Sequence, residues 1–232
     1  MIIATVAKNE AHKYLESALS CWQEWGEIVA VDNGSTDGSV ELLDKYATEV
    51  VSVSTPLWGE ENFVRAELYR LAMQRATDGE WVLWLDADMT VSADPHLLDL
   101  PEADAVAMRW YDLWSPRLAR FDDLWRAHLA HKTWMVRKHP DWRRCSFPAR
   151  GIHVGPIPPD YPVERTLLAP DSHALIHYGY ADARDRQEKY DRYLSVAGLL
   201  TPGELEHARS ILANEYLLVT PPPIAYPLSR AE

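Results

Sequence analysis

The chain has 232 residues, 47% of them apolar and 25% charged, with a formal net charge of −12 at pH 7. That length supports one substantial hydrophobic core, and the composition is that of a globular protein. The acidic balance argues against an electrostatic nucleic-acid footprint, and no apolar run reaches the length of a membrane span. The N-terminal Met1–Ala7 stretch lacks the basic start of a secretion signal. Cys21 and Cys145 make no disulfide framework and read as core-packing thiols, so a cytoplasmic protein is expected.

Ile2 to Ala7 is a buried-type strand, and a helix is predicted to open at Asn9 and Glu10 with Leu15, Ala18, Leu19 and Trp22 on one face. Ile28 to Val31 forms a second strand ending at Asp32, followed by the turn- and cap-rich Asn33–Gly38. A helix through Val40, Leu42, Leu43 and Tyr46 leads to a third strand, Val50 to Val53. Glu60 to Ala76 is amphipathic, through Val64, Leu68, Leu71, Ala72 and Ala76. The fourth strand, Trp81 to Leu85, is apolar on both faces and runs into Asp86-Ala87-Asp88.

Strand–helix alternation of this kind predicts an α/β fold with a mainly parallel sheet, in which ligands bind beyond the carboxyl ends of the strands. Lys8, Asp32, Asp86 and Asp88 all fall at such ends. Further on, Ala105–Leu113, Thr133–Val136 and His173–Tyr178 read as strands, and 137–160 as loops around the site. A helix from Asp182 to Leu200 is expected to bury Tyr190, Tyr193, Ala197 and Leu200. Thr201-Pro202-Gly203-Glu204 is a capping box that starts another helix, ended by Pro221-Pro222-Pro223 and an extended tail. With no repeat and no linker, residues 1–232 are expected to form one domain. Within it, residues 1–95, 96–180 and 181–232 are expected to form three successive parts, the last of them helices and a tail.

Two carboxylates where a buried strand opens to solvent cost free energy unless a cation sits there, and a divalent ion carrying a phosphorylated ligand fits. Asp86-Ala87-Asp88 followed by Met89-Thr90-Val91 also fits a haloacid-dehalogenase-type phosphatase, with Asp86 as nucleophile. That pattern normally sits on the first strand, whereas three βα units precede it here. The Asp32–Gly38 segment fails the spacing of a calcium loop. Thr5 to His12 has no glycine, so the dinucleotide fingerprint is missing.

Val6-Ala7-Lys8-Asn9-Glu10, Val31–Gly38 and Leu85-Asp86-Ala87-Asp88 together resemble, in order and spacing, the landmarks of family-2 glycosyltransferases of GT-A fold. Ile152-His153-Val154-Gly155-Pro156 and Ile176-His177-Tyr178-Gly179-Tyr180, with Asp185-Arg186 and Lys189-Tyr190, more loosely resemble a bacterial and phage subgroup. The resemblance implies a metal-dependent, inverting enzyme that moves a sugar from a nucleotide-diphospho-sugar, expected to be UDP-linked, to a carbohydrate, lipid-linked or protein acceptor. Thr5, Ala7 and Glu10 would line the nucleotide pocket, Asp32 would meet the base, and Arg65 the base or diphosphate. Asp86 and Ala87 would face the ribose or the metal's shell. Asp88, with His177 and Asp86, would hold Mn²⁺ or Mg²⁺, and His153 is a further candidate ligand. Arg186 and Lys189, three apart on one helix, could close over the diphosphate. Asp112 is nominated as catalytic base. Trp110, Trp114, Trp134 and Trp142 are candidates for an acceptor groove. Val154 stands where several related enzymes carry an acidic residue, which leaves a nucleotide-sugar-binding protein without transfer activity as the alternative.

Overall fold

The computed structural model describes residues 1–54, 61–148 and 154–231. The strands are β1 (Ile2–Ala7), β2 (Glu27–Asp32), β3 (Glu49–Ser52), β4 (Trp81–Trp84), β5 (Met89–Val91), β6 (Ala105–Ser115), β7 (Leu118–Phe121), β8 (His131–Arg137), β9 (Thr166–Leu168), β10 (Ala174–His177) and β11 (Leu217–Val219). The helices are α1 (Leu15–Trp22), α2 (Ser39–Tyr46), α3 (Glu61–Arg75), α4 (Ala183–Ser195) and α5 (Pro202–Ser210).

The first four strands lie in the order β3-β2-β1-β4 and are all parallel, as the alternation of elements predicts. Apolar side chains on both faces of β2 and β4 are buried, α1 covers the sheet with Leu15, Ala18, Leu19 and Trp22, and α3 with Val64, Leu68, Leu71 and Ala72. Beyond β4 the direction changes. β8 runs antiparallel to β4, and β6 antiparallel to β8, while β10 pairs parallel with β6 and antiparallel with β5. The sheet is therefore mixed: parallel where the first half builds it, woven in both directions where the second half joins.

Several boundaries depart from expectation. Asn9 does not open a helix, because it adopts a left-handed conformation (φ 56°) and its side chain accepts a hydrogen bond from Thr36 N at 2.8 Å. The helix waits until Leu15. On α4 the buried side chain is Asp185; Tyr190, Tyr193, Ala197 and Leu200 are only partly covered. Tyr190 and Tyr193 pack at the edge of the Trp114, Trp125 and Tyr180 cluster, and beside them the helix turns charged groups toward the protein. The capping box at Thr201 and Glu204 forms as read, but α5 ends at Ser210, and β11 pairs with β7 before the three prolines. The short strands β5, β7, β9 and β11 carry too little periodicity to be read from sequence.

The tail runs back along its own chain. Leu228 N donates to the Tyr178 hydroxyl, Ser229 N to Ser17 Oγ, and Ala231 N to Lys13 O, while Arg230 pairs with Asp185 at 2.8 Å. In segment 137–148 Trp142 packs behind α3, with the Tyr69 hydroxyl donating to its carbonyl at 3.0 Å, while the segment's other residues are exposed or half-buried.

Candidate active site

Hydrogen bonding between strands assembles a polar cluster at the carboxyl edge of β4. Asp86 to Asp88 is the turn between β4 and β5, closed by Met89 N donating to Asp86 O. β10 lies against β5 with His177 opposite Met89, and Tyr178 N donates to Asp88 O. On its other side β10 pairs with β6, His177 opposite Asp112. Register alone thus sets Asp88, His177 and Asp112 side by side. α4, capped by the Asp182 side chain, extends Lys189 into the same place.

The His177 ring bridges the two acids. Its Nδ1 is 2.6 Å from Asp112 Oδ1 and its Nε2 is 3.3 Å from Asp88 Oδ2. Lys189 Nζ is 3.3 Å from the same Asp88 oxygen and 3.1 Å from His177 Nε2. Burial works against the Asp88 charge, but Lys189 and His177 hold its carboxyl well below the usual range. For Asp112 burial is likewise outweighed, chiefly by the His177 hydrogen bond. Burial and Lys189 pull His177 down, and the two carboxylates carry it above its ordinary value. Gly179 forms the floor: a Cβ there would overlap Lys189 Nζ, Asp88 Oδ2 and His177 Nε2 at once. Tyr180 lies under the Lys189 ammonium, 4.6 Å from nitrogen to ring centre, and Trp110 packs edge-on to His177 at 5.3 Å.

Asp86 belongs to a different neighbourhood. Arg65, buried on the inner face of α3, reaches it at 2.8 Å and Glu61 at 3.3 Å, and Glu61 in turn accepts from Val154 N. Burial opposes the Arg65 charge, and the Asp86 and Glu61 carboxylates more than offset it. Asp86 is therefore paired with Arg65 rather than turned toward the cation position of Asp88. Ala87 between them is buried.

The loops that follow β1 and β2 interlock. Ser35 Oγ accepts from Asn9 N, Ser39 Oγ from Glu10 N, and Asp37 from Ala11 N. Asp32, 2% exposed, accepts from Gly34 N and Ser35 N, so it fixes its own turn. Glu10 is paired through Oε1 with Lys13, and its buried Oε2 has no hydrogen-bond partner. Burial is the main reason its carboxyl rises to about 7, with Lys13 opposing and Asp88 adding to the rise.

Other expected site residues lie elsewhere. Thr5 and Ala7 are 0% and 1% exposed in the middle and at the end of a central strand, so neither side chain has a face open to a nucleotide. Arg186 does not join Lys189: its Nη1 donates to the carbonyls of Trp114 and Tyr180, at 3.1 and 2.6 Å, and its charge rests over the Trp114 ring. Trp114 is buried with Trp125 and Tyr180 around Arg120, and Trp142 is buried against Tyr69. Only Trp110 and its neighbour Trp134 stand beside the cluster. Asp112 is taken up by His177 and by Trp110 Nε1 at 2.7 Å, which makes it a weak proton acceptor and a support for the histidine. His153 and Glu60 lie outside the described residues. Gly179 and Glu61 escaped the sequence reading; the glycine between two tyrosines after His177 was the available signal.

No group of three His, Cys, Asp or Glu side chains that could hold a metal ion occurs among the described residues. Two donors do converge. Asp88 Oδ2 and His177 Nε2, 3.3 Å apart, match the roughly 3 Å separation of neighbouring ligands on an octahedral ion with bonds of about 2.1 Å. Mg²⁺-like ions are commonly held by one or two protein groups plus substrate phosphates, so this pair fits such an ion.

The order and direction of the strands are those of a GT-A type fold. Residues 2–111, just under half of the chain, match the family described as Glycosyl transferase family 2. Among solved structures, TarS from S. aureus is similar with a TM-score of 0.51 at 16% identity, over 91% of this chain and 42% of that one. TarS 1–349 in complex with UDP-GlcNAc gives 0.51 at 14% identity, over 91% and 70%. Glucosyl-3-phosphoglycerate synthase from Mycobacterium tuberculosis, in complex with Mn²⁺, UDP and phosphoglyceric acid, gives 0.46 at 14% identity, over 96% and 89%. The chain thus spans less than half the length of the longer TarS chain. No curated protein matches it.

Proposed function

We propose that this protein transfers a sugar from a UDP-linked donor to an acceptor hydroxyl, with inversion at the sugar and with a divalent ion, Mn²⁺ or Mg²⁺, at Asp88 and His177. The observation that carries this is the convergence of Asp88 Oδ2 and His177 Nε2 at the strand ends, beside the Glu10 and Asp32 loops. When bound, the ion would neutralise charge on the departing diphosphate. The residues around it each have a task. Asp112 holds the His177 ring through Nδ1, so that Nε2 faces Asp88. Glu10 Oε2, buried and unpartnered, can exchange a hydrogen bond with a ribose hydroxyl or the base. Asp32 keeps the turn of residues 33–35 in shape for the base, and Arg65 fixes Asp86 at the ribose side. Trp110, half-buried and backed by the buried Trp134, offers an aromatic face to a carbohydrate, lipid-linked or protein acceptor beside His177.

UDP as the nucleotide is supported by the UDP-GlcNAc complex of TarS. Residues 1–232 act as one unit in this reading, and the protein works in the cytoplasm; no helix among the described residues is long and apolar enough to cross a membrane. The test is turnover of a panel of UDP-sugars with Mn²⁺ and Mg²⁺, with the product anomer read by NMR. Loss of turnover in Asp88→Ala is expected, and unchanged turnover would sink the metal assignment. Donor binding without any turnover favours the second reading, an inactive sugar-nucleotide-binding protein, which Val154 in the loop beside Glu61 suggests.

A further inference from the structure

The position where the proposed ion belongs is next to a cation that the protein supplies itself. Lys189 Nζ, Asp88 Oδ2 and His177 Nε2 form a nearly equilateral triangle with sides of 3.1 to 3.3 Å. One face of that triangle is closed by the backbone of Gly179, whose missing side chain is what leaves the ammonium room. The ring of Tyr180 supports the ammonium from its own side. The Lys13–Glu188 pair, at 3.2 Å, ties α4 to the nucleotide loop, so Lys189 can leave by rotating its long side chain while the helix stays in place.

A doubly charged ion on Asp88 Oδ2 and an ammonium about 3 Å away repel strongly at the dielectric of a protein interior. They also compete for the same carboxylate oxygen. Both cannot remain. From this geometry, and resting on the metal assignment made above, we infer that Lys189 is a resident counter-ion that excludes the divalent ion until a nucleoside diphosphate draws the ammonium onto its phosphates. Metal uptake and nucleotide binding are then thermodynamically coupled through one side chain, and the coupling is reciprocal. The protein without nucleotide carries an internally neutralised Asp88, and the ion is recruited together with its anionic cargo.

The experiment is a titration of the full chain with Mn²⁺, followed by the electron-spin-resonance signal of the free ion, with and without UDP. Lys189→Met and Lys189→Gln, two neutral replacements of similar length, are expected to bind Mn²⁺ alone about tenfold or more tightly than the natural protein. In both, UDP should raise the Mn²⁺ affinity by a smaller factor than it does in the natural protein. Lys189→Arg keeps the charge and should keep the weak binding. Equal Mn²⁺ affinity in the natural protein and both neutral variants overturns the inference while leaving the metal assignment standing. If none of the four proteins takes up Mn²⁺ with or without UDP, both fail together. Far-ultraviolet dichroism and thermal unfolding identify which variants are folded, and either neutral variant alone decides the outcome.

Discussion

Asp86 and Asp88 stand one residue apart, yet they belong to different parts of the molecule. The partners of Asp86 are Arg65 and Glu61, which precede it by about twenty residues on the helix that leads into its own strand. The partners of Asp88 are His177 and Lys189, with Asp112 behind the histidine, and all of them come later in the chain, from β10, α4 and β6. The same motif is thus anchored on one side by α3 of the parallel half and completed on the other by elements that arrive much later. The Asp86 side is a scaffold. The Asp88 side has the convergent donors and the movable cation that chemistry needs.

Substitutions can break that division. Asp88→Asn keeps the shape and removes the charge, and should lower turnover of the preferred UDP-sugar about 10²- to 10³-fold; a loss below tenfold would contradict the role given to this side. Gly179→Val drives a side chain into the three converging groups. It should cost on the order of 10²-fold in turnover by displacing them, while thermal unfolding remains cooperative. Arg65→Met probes the other side. Removing the cation between Asp86 and Glu61 should destabilise the fold by about 1–3 kcal/mol in urea unfolding, and turnover at saturating donor should fall less than in Asp88→Asn. The reverse ranking would exchange the two roles.

The smallest effect concerns Glu10, whose carboxyl burial raises from 4.5 to about 7. The folded state then holds this proton more tightly than the unfolded chain, so stability grows as pH falls from about 7 toward 4.5 and the gain is complete below that. Glu10→Gln should flatten the slope across that window, by about 1–3 kcal/mol between its ends. Urea midpoints at pH 5 and pH 8 measure it, and an unchanged slope would assign the pH dependence elsewhere.

How far the site could be read from sequence follows the same line. The parallel half was legible because β1, β2 and β4 are apolar on both faces and α1 and α3 each bury a regular apolar stripe, so periodicity and burial agree. The strand ends then located Asp32, Asp86 and Asp88 without any coordinates. What could not be read was which side chain reaches which. Arg186 and Lys189 share a helix face by spacing, but the carbonyls of Trp114 and Tyr180 capture one, while the acid of Asp88 captures the other. Asp112 had the right chemistry for a base, and only the β6–β10 register revealed that its carboxylate is taken up by His177. The tryptophans divide for a similar reason: Trp114 and Trp142 face into packed interiors, and nothing in their sequence neighbourhoods distinguishes them from Trp110.

The wide separation of the partners of Asp88 also bears on how the protein acquires its activity in time. A pair such as Asp88 and Lys189 closes a loop of 101 residues, and contacts of that kind form late because the chain entropy they restrict is large. The β3-β2-β1-β4 platform can condense from short-range βα units first, giving a chain that is ordered by dichroism but lacks its cation pocket. In a refolding experiment, recovery of the far-ultraviolet signal should therefore run ahead of recovery of Mn²⁺ and UDP binding. For a ribosome-bound chain the same order means that the motif at Asp86–Asp88 is made early and stays inert until α4 has been synthesised.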